Sequence, residues 1–272
     1  YVDRYKLLPA SYAPDTIYVR SSDIDRTLMS AQCALAGLYP HGTGPSDDGR
    51  PSLPERARPI PVHTVPSAEE TLLYPDSQLY HFRELQQKYV ENTPEWKARE
   101  DSLRPYFARW SEATGEKVTG FQQVKSLGGT LYIRQLYNIA PPAGLTQDDV
   151  RRIVDAGNWA FAYSFRPAEV GRATGLPLLR EIAGRISGAA AGKSGLKYVL
   201  YSAHDSTILS QLSAIGAPAE VPPHYSSRLN FLVFDEGNKD LVVKAVYNGA
   251  PVAMRGCGPQ YCTLAQFMDL AR

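Results

Sequence analysis

The sequence predicts an α/β protein in which a mostly parallel sheet, flanked by helices, is interrupted by a helical insertion. Strand-like runs that lead directly into helix-like runs occur near both ends of the chain, at residues 16–38 and 197–216. Helical patterns occupy the middle, at residues 76–115 and 146–161. Strands that alternate with helices are typical of α/β folds, and the helical middle indicates an inserted domain.

The first strand candidate is "TIYVR", Thr16–Arg20, a short β-branched run. Ser22 then resembles a helix N-cap, with Asp25 three residues further on. One helical face follows, formed by Ile24, Leu28, Ala31, Leu35 and Leu38. Residues 40–66 are rich in proline and glycine and are predicted to form a long surface excursion.

The middle of the chain carries several helix signals. Thr93 before Pro94 indicates a cap with proline in the first turn. Thr146 begins a second helix whose apolar face comprises Val150, Ile153, Val154, Gly157 and Phe161. A further helix is predicted over residues 177–186, and residues 187–195 are predicted to be a flexible connector.

Towards the carboxyl end, "KYVLYSA" at residues 197–203 is a near-continuous apolar run, typical of a buried parallel strand. A helix ending at Gly216 follows. "LNFLVFD" and "LVVKAVY" flank "EGNKD" and predict a β-hairpin. The last predicted helix covers residues 264–271 and is capped by Thr263.

Length and charge limit the protein class. A chain of 272 residues is long enough for one or two domains with a substantial core. We assign residues 1–66 and 170–272 to the α/β core and residues 67–169 to the helical insertion. The net charge of +1 gives no reason to expect nucleic acid or an anionic membrane as a partner. No apolar run approaches the roughly 18 residues that span a bilayer.

Three cysteines are present. Cys257 and Cys262 lie close together in "RGCGPQYCT", which favours a disulfide and therefore an oxidising compartment. The alternative is half of a zinc site, but two further ligands at recognisable spacing are not nearby. Cys33 falls within a helical pattern and is predicted to be a small buried apolar residue.

Two strand-to-helix junctions carry candidate functional residues. Arg20 ends the first strand, and His204 with Asp205 follows the later one. Ligands of open α/β sheets bind beyond the carboxyl ends of strands, where helix N-termini attract anions. Arginine suits phosphate, and aspartate donates protons to leaving groups. Each residue also has an ordinary alternative, namely a strand-end ion pair for Arg20, a core histidine for His204 and a helix cap for Asp205.

Several segments resemble the histidine acid phosphatases, a branch of the histidine phosphatase superfamily. They are "VRSSDIDRTLMSAQCALAGLYP", "PIPVHTVP", "YSAHDSTI" and "GCGPQYC", which occur in the order of that family and span nearly the whole chain. The resemblance implies a phosphoglycerate mutase-like core with an α-helical domain over the site. It also implies that the pair Cys257–Cys262 matches the C-terminal disulfide loop of the family.

The resemblance further implies a mechanism for phosphate monoester hydrolysis. A histidine of an RHGxRxP motif attacks phosphorus and forms a phosphohistidine. Arg20 matches a phosphate ligand, His204 matches the histidine that hydrogen-bonds the phosphoryl group, and Asp205 matches the general acid. No metal or cofactor is required. The HD motif suits acid phosphatases better than dedicated phytases, so we expect broad activity on small phosphomonoesters, with phosphopeptides as further candidates.

The chain departs from the family pattern because it contains no RHGxRxP. His41, in "PHGTGP", lacks the preceding arginine, and His63, His81 and His224 have no arginine context either. "YVDRYKLL" resembles the end of the helix after the nucleophile motif. We therefore expect an N-terminal segment that carries the nucleophile and a central strand of the sheet. The alternatives are a non-catalytic phosphate-binding pseudoenzyme or fragment, and a relic site whose helical domain is an interaction module.

Compartment and partners also follow from the resemblance. We expect an extracytoplasmic location, which is secreted, lysosomal or at the cell surface. Family members are often dimeric, so a homodimer is a candidate assembly. A membrane anchor would lie outside these residues.

Overall fold

A computed structural model of the chain describes all residues except Arg4, His41, Thr43 and residues 55–57, 75–80 and 238–240. His41, the histidine of "PHGTGP", therefore lies outside the described residues. The helices are α1 Asp25–Leu38, α2 Phe82–Gln86, α3 Pro94–Leu103, α4 Phe107–Thr114, α5 Phe121–Leu136, α6 Gln147–Tyr163, α7 Ala168–Ala190, α8 Asp205–Ala214 and α9 Leu264–Leu270. The strands are β1 Ile17–Ser21, β2 Ser46–Asp47, β3 Arg50–Pro51, β4 Tyr198–Ser202, β5 Leu229–Asp235, β6 Leu241–Tyr247, β7 Ala250–Val252 and β8 Cys262–Thr263.

The two strand-to-helix junctions are built on a parallel strand pair. β1 pairs with β4 so that Arg20 lies opposite Tyr201 and Ser21 opposite Ser202. On the other side of β1, the His63 N–H donates to Val19 O and the Ser21 N–H donates to His63 O, both at 2.9 Å. Near its end, the surface excursion therefore makes a single parallel β-bridge with β1.

β2 and β3 form a two-stranded antiparallel sheet of their own, and β5 to β8 form a separate antiparallel sheet. β5 and β6 make the predicted hairpin, in which Leu229 lies opposite Tyr247 and Asp235 opposite Leu241. β7 and β8 both pair with β6. The predicted disulfide is confirmed, because Cys257, in the loop after β7, is bonded to Cys262, the first residue of β8. The bonded sulfurs rule out the half zinc site considered for this pair.

Helix α1 follows β1 as predicted, and Ala31 and Leu35 of its expected face are buried. Two details were wrong. Ser22 is not the N-cap, because the helix begins at Asp25 and the Ser22 hydroxyl lies in the candidate site instead. Cys33 is exposed, because two residues beyond Ala31 on a helix is about 200° away from the buried face.

Two helices in the middle of the chain begin at the residues that the sequence predicted. The Thr93 hydroxyl accepts the Trp96 N–H at 3.3 Å, with proline as the first helical residue. Thr146 forms a capping box with Asp149 at the start of α6. A buried cluster joins these helices, with Trp96, Trp110, Phe121, Leu131 and Ile153 among its members.

Helix α7 is longer than predicted. It begins at residue 168, contains Pro177 in its interior and continues through residues 187–190, which were predicted to be connector. Proline normally marks a first turn because it lacks an N–H donor. Here the packing of α7 against α8 overrides that preference. Val170 joins the helical cluster and Leu176 joins a second cluster with β6 and α9, so α7 crosses the proposed domain boundary, which stays a prediction.

Gly175 is predicted to be essential to the contact between α7 and α8. A Cβ at this position would meet Ser210 O and lie 2.7 Å from the Ala214 Cβ. We expect Gly175→Ala to lower the free energy of unfolding by about 1–3 kcal/mol, as overpacking does. Gly184→Ala, on the same helix with open space around it, should instead raise it by about 0.5–1 kcal/mol. Urea denaturation compares the two, and equal effects would contradict the packing role.

Candidate active site

The two predicted junctions lie side by side. Arg20 stands at the carboxyl end of β1, and the Ser22 N–H beyond it donates to Ser202 O of β4 at 3.2 Å. His204 and Asp205 follow β4 directly and begin helix α8. The strand pairing therefore brings both junctions to one edge of the sheet, as the sequence predicted.

His204 is buried and held by a hydroxyl pair. Its side chain is only 8% exposed. Its Nε2 lies 2.9 Å from the Ser22 hydroxyl, which is itself 2.8 Å from the Thr27 hydroxyl. The ring of Tyr74 packs against the imidazole at a centroid distance of 4.4 Å. These contacts fix the ring orientation and leave Nδ1 as the nitrogen that faces away from the hydroxyl pair.

The surroundings of His204 favour its neutral form. The Arg26 Nη2 lies 3.4 Å from Nδ1 of the ring. Burial is the main cause that lowers the pKa of His204 below its usual value, and the nearby charge of Arg26 lowers it further. Asp205 and Glu70 act in the opposite direction but do not cancel these effects. His204 therefore stays uncharged to lower pH than an exposed histidine does.

We predict that His204 makes stability depend on pH. Its folded pKa lies below the unfolded value, so the unfolded chain binds more protons between the two values. The stabilisation is complete above about pH 6.5 and is lost as the pH falls through the folded pKa. The free energy of unfolding is measured in urea near pH 7.5 and near pH 5, which lie about one unit or more on either side of the ordinary histidine pKa of about 6.5. The difference between the two free energies should be smaller in His204→Gln than in the wild type. Exposed His81→Gln is the control, and an unchanged pH effect in His204→Gln would contradict this origin.

Arg20 is paired with a buried carboxylate that sequence reasoning missed. Its Nη2 donates to Glu70 Oε1 at 3.0 Å and to Oε2 at 3.1 Å. The side chains of Arg20 and Glu70 are 15% and 1% exposed. The strand-end ion pair considered for Arg20 is therefore present, and the phosphate-ligand role has to be compatible with it.

Asp205 differs from its neighbours because its carboxylate is exposed. It is the first residue of α8, and its Oδ1 accepts the Ser206 N–H at 2.8 Å. His204, not Asp205, occupies the N-cap position. An exposed carboxyl beside a buried imidazole is accessible to the leaving group of a bound ester.

The other histidines lie in different surroundings. His63 is exposed and forms an isolated β-bridge with Arg20, and its ring stacks on Tyr18 at a centroid distance of 4.9 Å. His81 lies beside Glu84 before α2, and His224 is exposed in the loop before β5. Among the described residues, no group of three or more histidine, cysteine or acidic side chains is placed to hold a metal ion. None of the described helices is both long and apolar enough to span a bilayer.

The sequence of the chain was compared with models of protein families. The model of the histidine phosphatase superfamily (branch 2) matches residues 1–248. The chain belongs to this family. The predicted resemblance is therefore confirmed.

Several curated relatives of this chain are named as acid phosphatases. Human testicular acid phosphatase is 33% identical over 291 residues, which cover 98% of this chain and 65% of the relative. Bovine prostatic acid phosphatase is 32% identical, with 98% and 70% covered. Lysosomal acid phosphatase of Xenopus laevis is 31% identical, with 98% and 63% covered. The chain thus spans about two thirds of the length of these relatives.

Solved structures show the same fold. The phytase of Klebsiella sp. ASR1 superimposes with a TM-score of 0.66 at 14% identity and covers 98% of this chain and 79% of that one. The tartrate complex of Hafnia alvei phytase gives a TM-score of 0.65 at 15% identity, with 98% and 80% covered. These neighbours confirm the predicted α/β fold class of the chain.

Proposed function

We propose that the protein is an acid phosphatase that hydrolyses phosphate monoesters through a phosphohistidine intermediate. The observation that carries the proposal is the pairing of β1 with β4, which sets Arg20 and His204 at one sheet edge. That edge also has the amino end of α8, where an anion is stabilised by partial positive charge. The names of the acid phosphatase relatives support the same reaction.

The residues divide the reaction between them. Arg20 binds phosphoryl oxygens. Nδ1 of His204 also binds them once the anion replaces the Arg26 contact at this nitrogen and Nδ1 carries the proton, in which case the Ser22 hydroxyl donates to Nε2. As the nucleophile attacks phosphorus and the ester P–O bond breaks, Asp205 gives its proton to the leaving oxygen. Water then attacks the phosphohistidine, its proton returns to Asp205, and phosphate leaves.

The nucleophile in this proposal is supplied from outside these 272 residues. None of the five histidines in the chain lies in an RHGxRxP motif. The second candidate function, a non-catalytic phosphate-binding protein, draws on this same absence. Turnover of a phosphomonoester by the full-length gene product separates the two candidates, because only the enzyme releases phosphate.

The proposal also includes the location of the protein and its partners. An extracytoplasmic location is supported by the Cys257–Cys262 disulfide and by relatives that are named lysosomal. Small phosphomonoesters are the proposed substrates. Phosphopeptide substrates, a homodimer and a membrane anchor stay predictions of the family resemblance.

Ligand protection tests the proposed binding site in the chain itself. A ligand that binds only the folded state at about 100 times its Kd adds about 2.7 kcal/mol to the free energy of unfolding. We expect inorganic phosphate and tartrate to protect the wild type and to protect Arg20→Ala much less. For each protein, the quantity compared is the gain in the free energy of unfolding when the ligand is added. The absolute free energies are not compared, because Arg20→Ala also leaves Glu70 unpaired and lowers stability without ligand. Arg151→Ala, an exposed arginine of α6, is the control. Equal protection of Arg20→Ala and the wild type would make Arg20 structural.

A further inference from the structure

Glu70 is a buried carboxylate in contact with Arg20, the arginine that the proposed function assigns to the phosphoryl group. Both of its oxygens accept hydrogen bonds from the Arg20 Nη2, at 3.0 and 3.1 Å. Its side chain is 1% exposed. A charge removed from water to this degree requires a partner, so the pair is unlike an exposed surface ion pair.

The carboxylate is the fixed member of this pair. The backbone N–H groups of Leu72 and Leu73 both donate to Oε1 of Glu70 at 2.9 Å. Three donors therefore converge on one carboxylate oxygen. Backbone groups keep their places, whereas the arginine side chain has several rotatable bonds. The position of Glu70 consequently determines where the Arg20 guanidinium lies.

Arg20 retains donors that Glu70 does not use. A guanidinium carries five N–H donors, and both contacts to Glu70 come from Nη2 alone. The Arg20 Nε is buried without a hydrogen-bond partner among the described residues. An unpaired buried donor is costly, so this guanidinium is held ready for a further oxygen acceptor.

We propose that Glu70 is a positioning residue of the phosphoryl site, which orders the Arg20 guanidinium before the anion arrives. A group that is already ordered loses less freedom on binding, so affinity rises without a new contact to the ligand. The proposal rests on the proposed function in one respect, namely that Arg20 binds the phosphoryl oxygens.

Two other roles for Glu70 make different predictions. If Glu70 acts only as a structural link between the segment at residues 67–74 and β1, its removal lowers stability and leaves phosphate affinity unchanged. If its negative charge mainly repels the anion, its removal tightens phosphate binding. Of the three roles, only positioning predicts that phosphate binds more weakly when the negative charge of Glu70 is removed.

The test is calorimetric titration of inorganic phosphate into the folded chain. Glu70→Gln keeps the side-chain shape and an oxygen for the Leu72 and Leu73 N–H groups, but it loses the charge that holds Arg20. We expect its Kd for phosphate to rise by about two- to tenfold, which is the effect of losing the order of one long side chain. Glu181→Gln is the matched control, because Glu181 pairs with Arg185 at 2.7 Å on α7. Unchanged or tighter binding by Glu70→Gln would overturn the proposal.

A second measurement follows the order of Arg20 directly. Isotope-edited NMR of the Arg20 Nε–H should give a sharp, slowly exchanging signal in the wild type and a broad or rapidly exchanging one in Glu70→Gln. Glu70→Asp keeps the negative charge but places it one methylene further from Arg20, so its Arg20 Nε–H signal should be intermediate between those of the wild type and Glu70→Gln. This variant provides the test if Glu70→Gln does not fold. Should the wild type fail to bind phosphate, the proposed function fails, and the Arg20 signal still decides whether Glu70 orders it. Identical Arg20 signals in the wild type and the two variants would reject positioning.

Discussion

Replacing Asp205 with asparagine in the full-length gene product is expected to lower kcat for an alkyl phosphate by about 10²–10⁴-fold. Asparagine keeps the shape of the exposed side chain at the start of α8 but has no proton to give. Alkoxides are poor leaving groups, so the loss should fall on the step that breaks the ester bond. Steady-state phosphate release with an alkyl phosphate measures it.

The choice of leaving group separates acid catalysis from structural damage. Nitrophenolate leaves without much help, so Asp205→Asn should lose much less activity on nitrophenyl phosphate than on an alkyl phosphate. Asp148→Asn is a matched control, because Asp148 is also an exposed aspartate in the first turn of a helix. If alkyl phosphate turnover in Asp205→Asn equals that of the wild type, Asp205 has no part in the mechanism.

Asp149→Ala is expected to cause the largest loss of stability, about 3–5 kcal/mol, because it breaks a buried charged network. Asp149 is fully buried. Its carboxylate accepts the Trp110 Nε1–H at 2.9 Å, the Thr146 N–H at 3.0 Å and the Thr146 hydroxyl at 2.6 Å, and it also pairs with Arg109. Alanine would leave the buried indole N–H without an acceptor and would remove the Asp149 side-chain half of the capping box at the start of α6.

Urea denaturation checks this prediction, with Asp155→Ala as the control because Asp155 is an exposed aspartate of the same helix. Asp155→Ala should change the free energy of unfolding by no more than about 0.5 kcal/mol. A similarly small effect of Asp149→Ala would contradict the network. Burial acts to raise the pKa of Asp149, but hydrogen bonds from Thr146, Trp110 and Arg109 outweigh it and hold the pKa well below its usual range. This stabilisation is present above the ordinary aspartate pKa and is lost only as the pH falls through the lower folded value, so the network persists in a mildly acid medium.

The sequence was informative where a local pattern carries the structure. The run from Thr16 to Arg20 has β-branched residues, and the later apolar run before His204 has the length of a buried strand. Both therefore predicted strands that end at the candidate functional residues, and parallel pairing brought those ends together. The cap signals at Thr93 and Thr146 depend on hydrogen bonds within one turn, and both were confirmed.

The contacts that complete the site are not local, and they were missed for that reason. Glu70 meets Arg20 across 50 positions of sequence, in a segment with no helical or strand period. Ser22 meets His204 across 182 positions, and its spacing from Asp25 resembled a cap. A serine before a helix and a glutamate in a loop are ordinary surface residues until tertiary packing buries them. The available sequence signal was position, because Ser22 lies inside the first family segment and Glu70 follows the segment "PIPVHTVP" closely.

The most direct test of the proposed reaction is to trap the phosphorylated enzyme. The full-length gene product is mixed with a labelled phosphomonoester at acid pH, quenched within one turnover and digested, and the labelled residue is identified. We expect the label on a histidine, with an acid-labile and alkali-stable bond, and we expect Asp205→Asn to accumulate less of it from an alkyl phosphate. Phosphate release without a labelled histidine would contradict the phosphohistidine mechanism, and no release at all would leave a phosphate-binding protein in place of an enzyme.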